Sequence, residues 1–565
     1  MVIKCWTFWE NYAIKLIVFE CIFVIPNVNH MTAMNNNQAY LVCSGDLRPS
    51  ANIKCWPMQQ QMEEKLHQAL QNLGWGIKRA HRYDEEKGHG FIDYQHIGVK
   101  IFREIDKKAP LIVAESVWQY SHHVLAGLIS HEGPILVVTN WDGTYPGLVG
   151  ALNLTGSLTK ANVNYSFLWS EDFSDDFFTS KLREWLDTGT VTHDYSHVRA
   201  FASPTMATED RTLAEGLASK IQDDKVIMGV FDEGCMGMFN AIVPDALIHQ
   251  LGIFKERLSQ STLYAKMLTV TNEEAHIILY WLLKKGMKFD WGTDPANELT
   301  KEQTLEQCKM YIAALRLADE FGCDTIGIQY QQGLKDLVAA SDLVEGLLNN
   351  TERPPVFDEK GKELYRGEAL PHFNEVDECA GIDGYLTYHL WKQLGLNGDN
   401  TLHDLRYGED FTIEGKEEFV WVFLISGAVP ASHFARGYAD ASSMRQPPMF
   451  FKKGGGTLRG VSRPGNIVWS RIYIEQDALW CDIGTGRAVE LPTEETERRW
   501  ALTDPQWPIM HGVLDGVSRD QMMAKHKANH IQVAYVDGDF DVRRAAEIKA
   551  AAFQALGIKV NFCGI

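Results

Sequence analysis

Short apolar runs alternate with amphipathic stretches along most of this chain, and this alternation limits the folds available to it. Apolar runs at residues 38–43, 110–115 and 134–139 have the length of buried strands, while residues 58–73 and 175–186 show helical spacing. Strands that alternate with helices form βαβ units, whose parallel sheet is covered by helices on both faces. Residues 37–204 are therefore expected to form an open, Rossmann-like α/β domain.

The same alternation recurs in the next part of the chain. Residues 225–231 and 324–329 are strand-like, and strong helical patterns at 272–285 and 301–321 lie between them. This pattern predicts a second α/β domain with an open parallel sheet, covering residues 205–394.

The pattern changes after about residue 395. Residues 466–474 and 479–483 are strand-like and are joined by a short polar segment, which is typical of a β-hairpin. We predict a β-rich C-terminal domain over residues 395–565, so that the fold class is two parallel-sheet α/β domains followed by a β-rich domain.

Residues 1–36 precede the first convincing strand. Their apolar segment, residues 13–25, contains Lys15 and Glu20 and is shorter than the roughly 18 clean apolar residues of a membrane span. It also has no small-residue cleavage site of the kind that ends a signal peptide. We interpret residues 1–36 as an N-terminal extension or a mis-called start, with a membrane anchor and a genuine structural element as alternatives.

Composition and missing motifs exclude several classes of function. The formal net charge of −20 disfavours nucleic acid and anionic membranes as partners. The ten cysteines include no Cys-x-x-Cys pair, so neither a disulfide framework nor a structural zinc site is indicated, and we expect a reducing, cytoplasmic location. Phosphate-binding loops, dinucleotide fingerprints and Gly-x-Ser-x-Gly elbows do not occur in the sequence. Nucleotide-dependent and serine-hydrolase functions therefore lose their usual support.

Two segments supply carboxylates that could serve a metal site. Glu375 and Asp377 are separated by one residue, so an extended segment would turn both acids to the same side. Asp404 follows Leu402 and precedes Arg406 in a second segment. Taken singly, the first pair could be an exposed acidic turn, and Asp404 could form a salt bridge or cap a helix.

A third segment supplies the imidazole. His526 and His530 are four residues apart and would share a face if the segment were helical, but Lys527 stands where zinc proteases carry a glutamate. His530 is the better candidate because it precedes the apolar run 531–535 and so lies at a strand edge, where α/β sites usually form. A hydrogen-bonded histidine without a metal is the plainer alternative.

Taken together, these segments resemble the L-fucose isomerase family, within the wider group of L-fucose and L-arabinose isomerases, over nearly the whole chain after residue 38. The segment Met523-Ala-x-x-x-Ala-Asn529-His530 is similar to the family's segment around its metal-binding histidine. Glu375 and Asp404 lie in segments similar to those that supply the family's two carboxylates. Four further motifs support the resemblance: Gln329-x-Gln331, Trp141-x-x-Thr-x-Pro-Gly147, Trp507-Pro508 and Gly234-Cys-Met-Gly237.

The resemblance implies a three-domain subunit that is a homo-oligomer, often a hexamer. It implies that Glu375, Asp404 and His530 hold Mn²⁺ or another divalent ion, with Glu375 and Asp404 also acting as acid and base. It further suggests that Gln331 and Asn529 bind sugar hydroxyls and that Trp118 comes from a neighbouring subunit. The substrate-binding residues that we expect are Gln329, Gln331, Asn529, Trp118 and Trp507.

The expected reaction is aldose–ketose isomerisation, of L-fucose to L-fuculose or of D-arabinose to D-ribulose, through an enediolate. Two carboxylates and one imidazole suit Mn²⁺, and an ion of this kind polarises the sugar carbonyl while carboxylates move protons. Thr457 stands where fucose isomerases carry a tyrosine, which leaves the exact sugar open. The alternatives are a non-catalytic sugar-binding protein and a sugar epimerase on the same scaffold.

Overall fold

The structure of the protein is a computed structural model that describes residues 37–202, 206–425 and 427–565. The strands of this described part are β1 Gln38–Val42, β2 Gly76–Arg79, β3 Leu111–Glu115, β4 Ile135–Asn140, β5 Ser166–Ser170, β6 Val198–Ala200, β7 Val226–Phe231, β8 Ile253–Leu258, β9 Lys288–Phe289, β10 Thr325–Ile328, β11 Asn400–Ile413, β12 Lys416–Leu424, β13 Ser442–Ser443, β14 Gly465–Glu475, β15 Ala478–Ala488, β16 Ile509–Leu514, β17 His530–Tyr535 and β18 Lys559–Cys563. The helices are α1 Pro49–Asn72, α2 Gln95–Phe102, α3 His122–Ile129, α4 Gly147–Lys160, α5 Asp176–Thr188, α6 Thr208–Asp224, α7 Asp245–Ile248, α8 Gln260–Met267, α9 Asn272–Lys284, α10 Lys301–Glu320, α11 Asp342–Leu348, α12 Glu378–Gln393, α13 Thr493–Leu502, α14 Arg519–Lys525 and α15 Val542–Ala555.

The first sheet is parallel throughout, with the strand order β2-β1-β3-β4-β5. Every residue of β3 and β4 is buried, as expected of strands covered on both faces. Helix α4 packs closely against the residues that follow β3, because a Cβ atom at Gly150 would lie only 2.2 Å from the carbonyl oxygen of Val117. The glycine therefore lets α4 approach the segment that carries Trp118.

The second sheet is also parallel, with the order β10-β7-β8. The two long helices before β10 each begin with a capping box, in which Thr271 pairs with Glu274 and Thr300 pairs with Gln303. Because every strand pairing in these two sheets is parallel, both predicted parallel sheets are confirmed. Gln329 follows directly after β10, at the edge where the carboxyl ends of these strands lie.

The third sheet is mixed and mostly antiparallel, and six of its strands close into a ring. The order is β14-β17-β11-β12-β16-β15-β18-β6, and β14 also pairs with β15. The predicted hairpin is confirmed, since β14 and β15 pair from Gly465↔Ala488 to Glu475↔Ala478. Gln476 and Asp477 turn the chain with φ of 51° and 54°, the left-handed pair of a type I′ turn. Two strands of this ring, β11 and β17, carry residues of the site described below.

The chain from Gln38 to Ile565 forms one compact unit. The described residues therefore have a mixed α/β fold with a β-rich C-terminal region, and the division into domains at residues 204 and 394 stays a prediction. Strand β6 joins the edge of the third sheet through β18, far along the chain. No helix in the described ranges is long and apolar enough to cross a membrane. The interpretation of residues 1–36 lies outside the described residues.

Candidate functional site

Strand pairing brings Asp404 and His530 together. These two residues are direct partners in the antiparallel register of β11 and β17, so their side chains project from the same face. The backbone amide of Leu405 donates to the carbonyl of Asn529 at 3.1 Å, which fixes the register at this point. Asp404 Oδ1 lies 3.4 Å from His530 Nε2. Two of the three predicted ligands therefore face each other across one pair of strands.

Glu375 reaches the same histidine from the second sheet. It lies in the 3₁₀ turn Asn374–Val376, which follows Phe373, and Phe373 donates its amide to the carbonyl of Ile326 in β10. Glu375 Oε2 lies 3.7 Å from His530 Nε2. The two carboxylates among the predicted ligands thus converge on Nε2 of the His530 ring.

Glu375 and Asp377 do not lie in an extended segment, so strand alternation does not set the directions of their side chains. Glu375 and Val376 both have left-handed backbone conformations, with φ of 56° and 55°. For a β-branched residue such as Val376 this conformation is a true outlier, and strain of this kind is held at functional sites by the surrounding structure. The turn, rather than strand alternation, directs Glu375 and Asp377 to the two nitrogens of one imidazole.

Asp377 holds the other nitrogen of that ring. His530 Nδ1 donates to Asp377 Oδ2 at 2.7 Å, and Arg471 Nη1 donates to the same oxygen at 2.6 Å. Burial alone would raise the pKa of Asp377, but Arg471 and His530 bring it well below its usual range. Asp377 is therefore a charged carboxylate behind the histidine.

Glu375 and Asp404, unlike Asp377, have raised pKa values. Burial raises the pKa of Glu375, and the neighbouring Asp404 adds to the rise, while His530 opposes it. Burial also raises the pKa of Asp404, against the attraction of His530 and Arg406. For His530 burial lowers the pKa, but the hydrogen bond to Asp377 and the nearby carboxylates raise it more. Glu375 and Asp404 therefore hold protons more readily than free acids do, which suits proton transfer near neutral pH.

The donor set fits a divalent ion. Asp404 Oδ1 and His530 Nε2 are buried side-chain atoms without a hydrogen-bond partner, and they face each other. Among the described residues, however, no three or more His, Cys, Asp and Glu side chains are already arranged as a metal-binding cluster. Neighbouring ligands of an octahedral ion at roughly 2.1 Å lie about 3 Å apart. The separations of 3.4 and 3.7 Å are wider by a few tenths of an ångström, so the side chains would have to close slightly on an ion.

Glu375 and Asp404 line a pocket whose other walls are largely apolar. Three of the predicted substrate-binding residues, Trp118, Gln331 and Trp507, line it too. Trp118 belongs to the same chain as the carboxylates, so this side chain reaches the pocket without a neighbouring subunit. The remaining lining residues are Arg48, Pro146, Met236, Phe450 and Phe451.

The other two predicted substrate-binding residues lie just behind the pocket. Gln329 is fully buried, and its Oε1 accepts the amide of Gln331 at 3.2 Å, so it supports the loop that carries Gln331. Asn529 is also fully buried and donates to Met238 Sδ at 3.2 Å. Its hydrogen bond to Asp404 helps to limit the rise in the pKa of that carboxyl. These two amides are therefore placed to orient pocket residues.

His526 takes no part in the donor set. Helix α14 ends at Lys525, so His526 and His530 do not share a helix face. His526 Nε2 lies 2.9 Å from the carbonyl oxygen of His530, and burial lowers the pKa of this imidazole to about 3. The preference for His530 over His526 agrees with this geometry.

Sequence reasoning missed Arg48 and the role of Asp377. Arg48 Nη1 donates to Gln331 Oε1 at 2.8 Å, and its guanidinium pairs with Asp46 at 2.6 Å. No spacing or composition signal marks Arg48, because its partner Gln331 lies far along the chain. Asp377 could have been suspected from its place beside Glu375, but only the fold shows that it faces His530.

No protein-family model matches this chain, and no curated protein matches it. Membership of the L-fucose isomerase family therefore stays a prediction.

Proposed function

We propose that this protein is a metal-dependent aldose–ketose isomerase of the L-fucose isomerase type, acting on L-fucose or D-arabinose. The observation that carries the proposal is the pairing of Asp404 with His530 on neighbouring strands, with unpartnered Oδ1 and Nε2 atoms and Glu375 beside them. The proposal includes a homo-oligomer, hexameric by the resemblance, in a cytoplasmic location.

Glu375, Asp404 and His530 would hold the ion, which is Mn²⁺ in this proposal. When bound, such an ion supplies Lewis-acid polarisation of the sugar carbonyl. The two oxygen donors and one nitrogen donor agree with the ligand preference of Mn²⁺. His530 can act as a ligand because its Nδ1 is already engaged by Asp377.

The two carboxylates carry the proton transfers. One takes the proton from C2 of the aldose and delivers a proton, which exchanges with solvent while the carboxyl group holds it, to C1. The other moves a proton between the O1 and O2 hydroxyls, so that the ketose has the same composition as the aldose. Burial of Glu375 and Asp404 raises the pKa of each, which lets either one hold a proton near neutral pH. No external redox partner is needed.

The pocket walls orient the sugar. Gln331 offers an amide to hydroxyl groups, and Arg48 fixes that amide through its hydrogen bond. Trp118 and Trp507 are almost completely buried and present ring surface to the pocket, where the C–H faces of a sugar can pack. The same walls exclude water from the reacting carbons.

A sugar-binding protein without catalysis is the second candidate. The observation that favours it is the spacing of the donors, which exceeds that of ligands closed on an ion. An epimerase on the same scaffold would use the same carboxylates but would return the proton to C2.

A turnover assay separates these functions. The protein is stripped with a chelator, reloaded with Mn²⁺, and incubated with a panel of aldoses in deuterated water. An isomerase forms ketose with label at C1, an epimerase gains label at C2 without ketose, and a binding protein does neither while still retaining sugar in equilibrium dialysis.

Variants then test the site itself. Glu375→Gln keeps the side-chain size and removes one of the two acid–base carboxylates, so we expect ketose formation to fall by roughly 10²–10⁴-fold. Glu368→Gln serves as the matched control, because Glu368 is a surface acid that pairs with Lys392. Full turnover by Glu375→Gln would refute the assignment.

A further inference from the structure

The hydrogen bond at Nδ1 determines which ring nitrogen of His530 can bind an ion. A charged carboxylate accepts hydrogen bonds and cannot donate them, so the proton of a neutral His530 ring lies on Nδ1, opposite Asp377 Oδ2 at 2.7 Å. Nε2 then presents its lone pair towards Asp404 and Glu375. The opposite tautomer would place a hydrogen at Nε2 and block coordination there.

Asp377 is itself fixed by two elements of the fold besides the strand of His530. Its Oδ1 accepts the amide of Ala380 at 3.0 Å and so caps α12. Its Oδ2 accepts from Arg471 at 2.6 Å, and Arg471 lies on β14, the strand that pairs with β17. Both side chains are at most 2% exposed. The carboxylate therefore cannot rotate away from the histidine without losing a helix cap and a buried ion pair.

We propose that Asp377, supported by Arg471, is a positioning residue that holds His530 in the Nδ1–H tautomer and thereby sets the affinity of the site for a divalent cation. This inference rests on the metal site of the proposed function. A carboxylate behind a metal-binding histidine fixes the ring and strengthens the ligand, and its loss typically weakens metal binding by about 10–100-fold.

The first experiment needs no variant. Metal-free protein labelled with ¹⁵N-histidine is titrated by NMR to a pH at which the His530 ring is neutral, because the Asp377 hydrogen bond and the nearby carboxylates raise the pKa of this imidazole. The His530 signals are assigned by their loss in His530→Ala. We expect a protonated Nδ1 and an unprotonated Nε2. A ring protonated at Nε2 would overturn the proposal.

The second experiment measures Mn²⁺ binding by electron paramagnetic resonance. The Asp377→Asn variant can turn its NH₂ group towards His530, which favours the wrong tautomer, and we expect its Mn²⁺ dissociation constant to rise by about 10–100-fold. The control is Asp541→Asn, which also changes a helix-capping aspartate, since Asp541 accepts the amide of Arg544 at 2.7 Å at the start of α15. We expect this control to bind Mn²⁺ as wild type does.

The outcomes distinguish this inference from the proposed function. An Asp377→Asn protein that folds and binds Mn²⁺ within threefold of wild type overturns the role of Asp377, even if the wild type is an active isomerase. Conversely, a wild type that binds Mn²⁺ but makes no ketose refutes the isomerase, while the loss of affinity in Asp377→Asn still supports the positioning role. If Asp377→Asn does not fold, the tautomer of the wild type decides alone.

Discussion

Replacing Gly150 with alanine tests how closely α4 packs against the segment after β3. A Cβ atom at this position would lie 2.2 Å from the carbonyl oxygen of Val117 and 3.2 Å from its carbonyl carbon. Both are backbone atoms, so no side-chain rotation can relieve the overlap, and the helix must move away. Overpacking of this kind costs about 1–3 kcal/mol, while alanine in place of glycine within a helix returns about 0.5–1 kcal/mol. We expect Gly150→Ala to lower the free energy of unfolding by about 1–2 kcal/mol.

A second glycine provides the matched control. Gly216 lies within α6, and no heavy atom would come within 4 Å of a Cβ atom there. Gly216→Ala should therefore raise the free energy of unfolding by about 0.5–1 kcal/mol, because only the helix preference of alanine changes. Urea unfolding followed by tryptophan fluorescence measures both variants. Trp118 follows Val117 in the chain, so we also expect Gly150→Ala to bind sugar more weakly.

The result that refutes this reasoning is specific. If Gly150→Ala is stabilised as much as Gly216→Ala, then the backbone at Val117 yields without cost, and α4 does not fix the position of Trp118. Equal destabilisation of both variants would show instead that the helix preference has been assigned the wrong sign.

Two further predictions concern charges. Mn²⁺ must displace the protons held by Glu375 and Asp404, because the pKa values of both carboxyl groups are raised. Mn²⁺ affinity measured by calorimetric titration should therefore increase with pH above the ordinary carboxyl range near pH 4. An affinity that is flat or falls with pH would contradict the site. Lys549 donates to Asp383 at 2.7 Å, and both side chains are at most 1% exposed. Lys549→Met leaves the charge of a buried carboxylate unpaired, so it should lower the free energy of unfolding, measured with urea, by about 3–5 kcal/mol. Adding Asp383→Asn should recover part of this loss, and a cost below about 1 kcal/mol in the single variant would disprove the burial argument.

The sequence predicted the elements whose patterns are periodic. Both parallel sheets and the β14–β15 hairpin follow from apolar runs and turn residues. Helices α4 and α12 were missed because they are buried over most of their surface, so they lack the polar stripe that marks an amphipathic helix. Strand β11 was missed because its buried half contains His403, Asp404 and Arg406, polar residues that a local pattern assigns to the surface.

The candidate site was only partly predictable for a related reason. Glu375, Asp404 and His530 could be named from segments that resemble a known family, and the structure places them together. The contacts of Arg48 with Gln331 and of Asp377 with His530 depend on residues far apart in the chain, and no local rule indicates them. The left-handed turn at Glu375 was missed because neither Glu375 nor Val376 favours that conformation.

The three candidate metal ligands are not held in the same way by the fold. Asp404 and His530 lie on paired strands within the ring, and a slip of one residue would turn either side chain to the opposite face, so their separation is locked. Glu375 instead extends from a strained turn that is held beside β10 of the second sheet by the hydrogen bond from Phe373 to Ile326. An ion bound by all three side chains would link that turn to the ring of strands. Cation binding should therefore slow amide hydrogen exchange at Asn374–Val376. It should also raise the melting temperature in proportion to the logarithm of the free cation concentration.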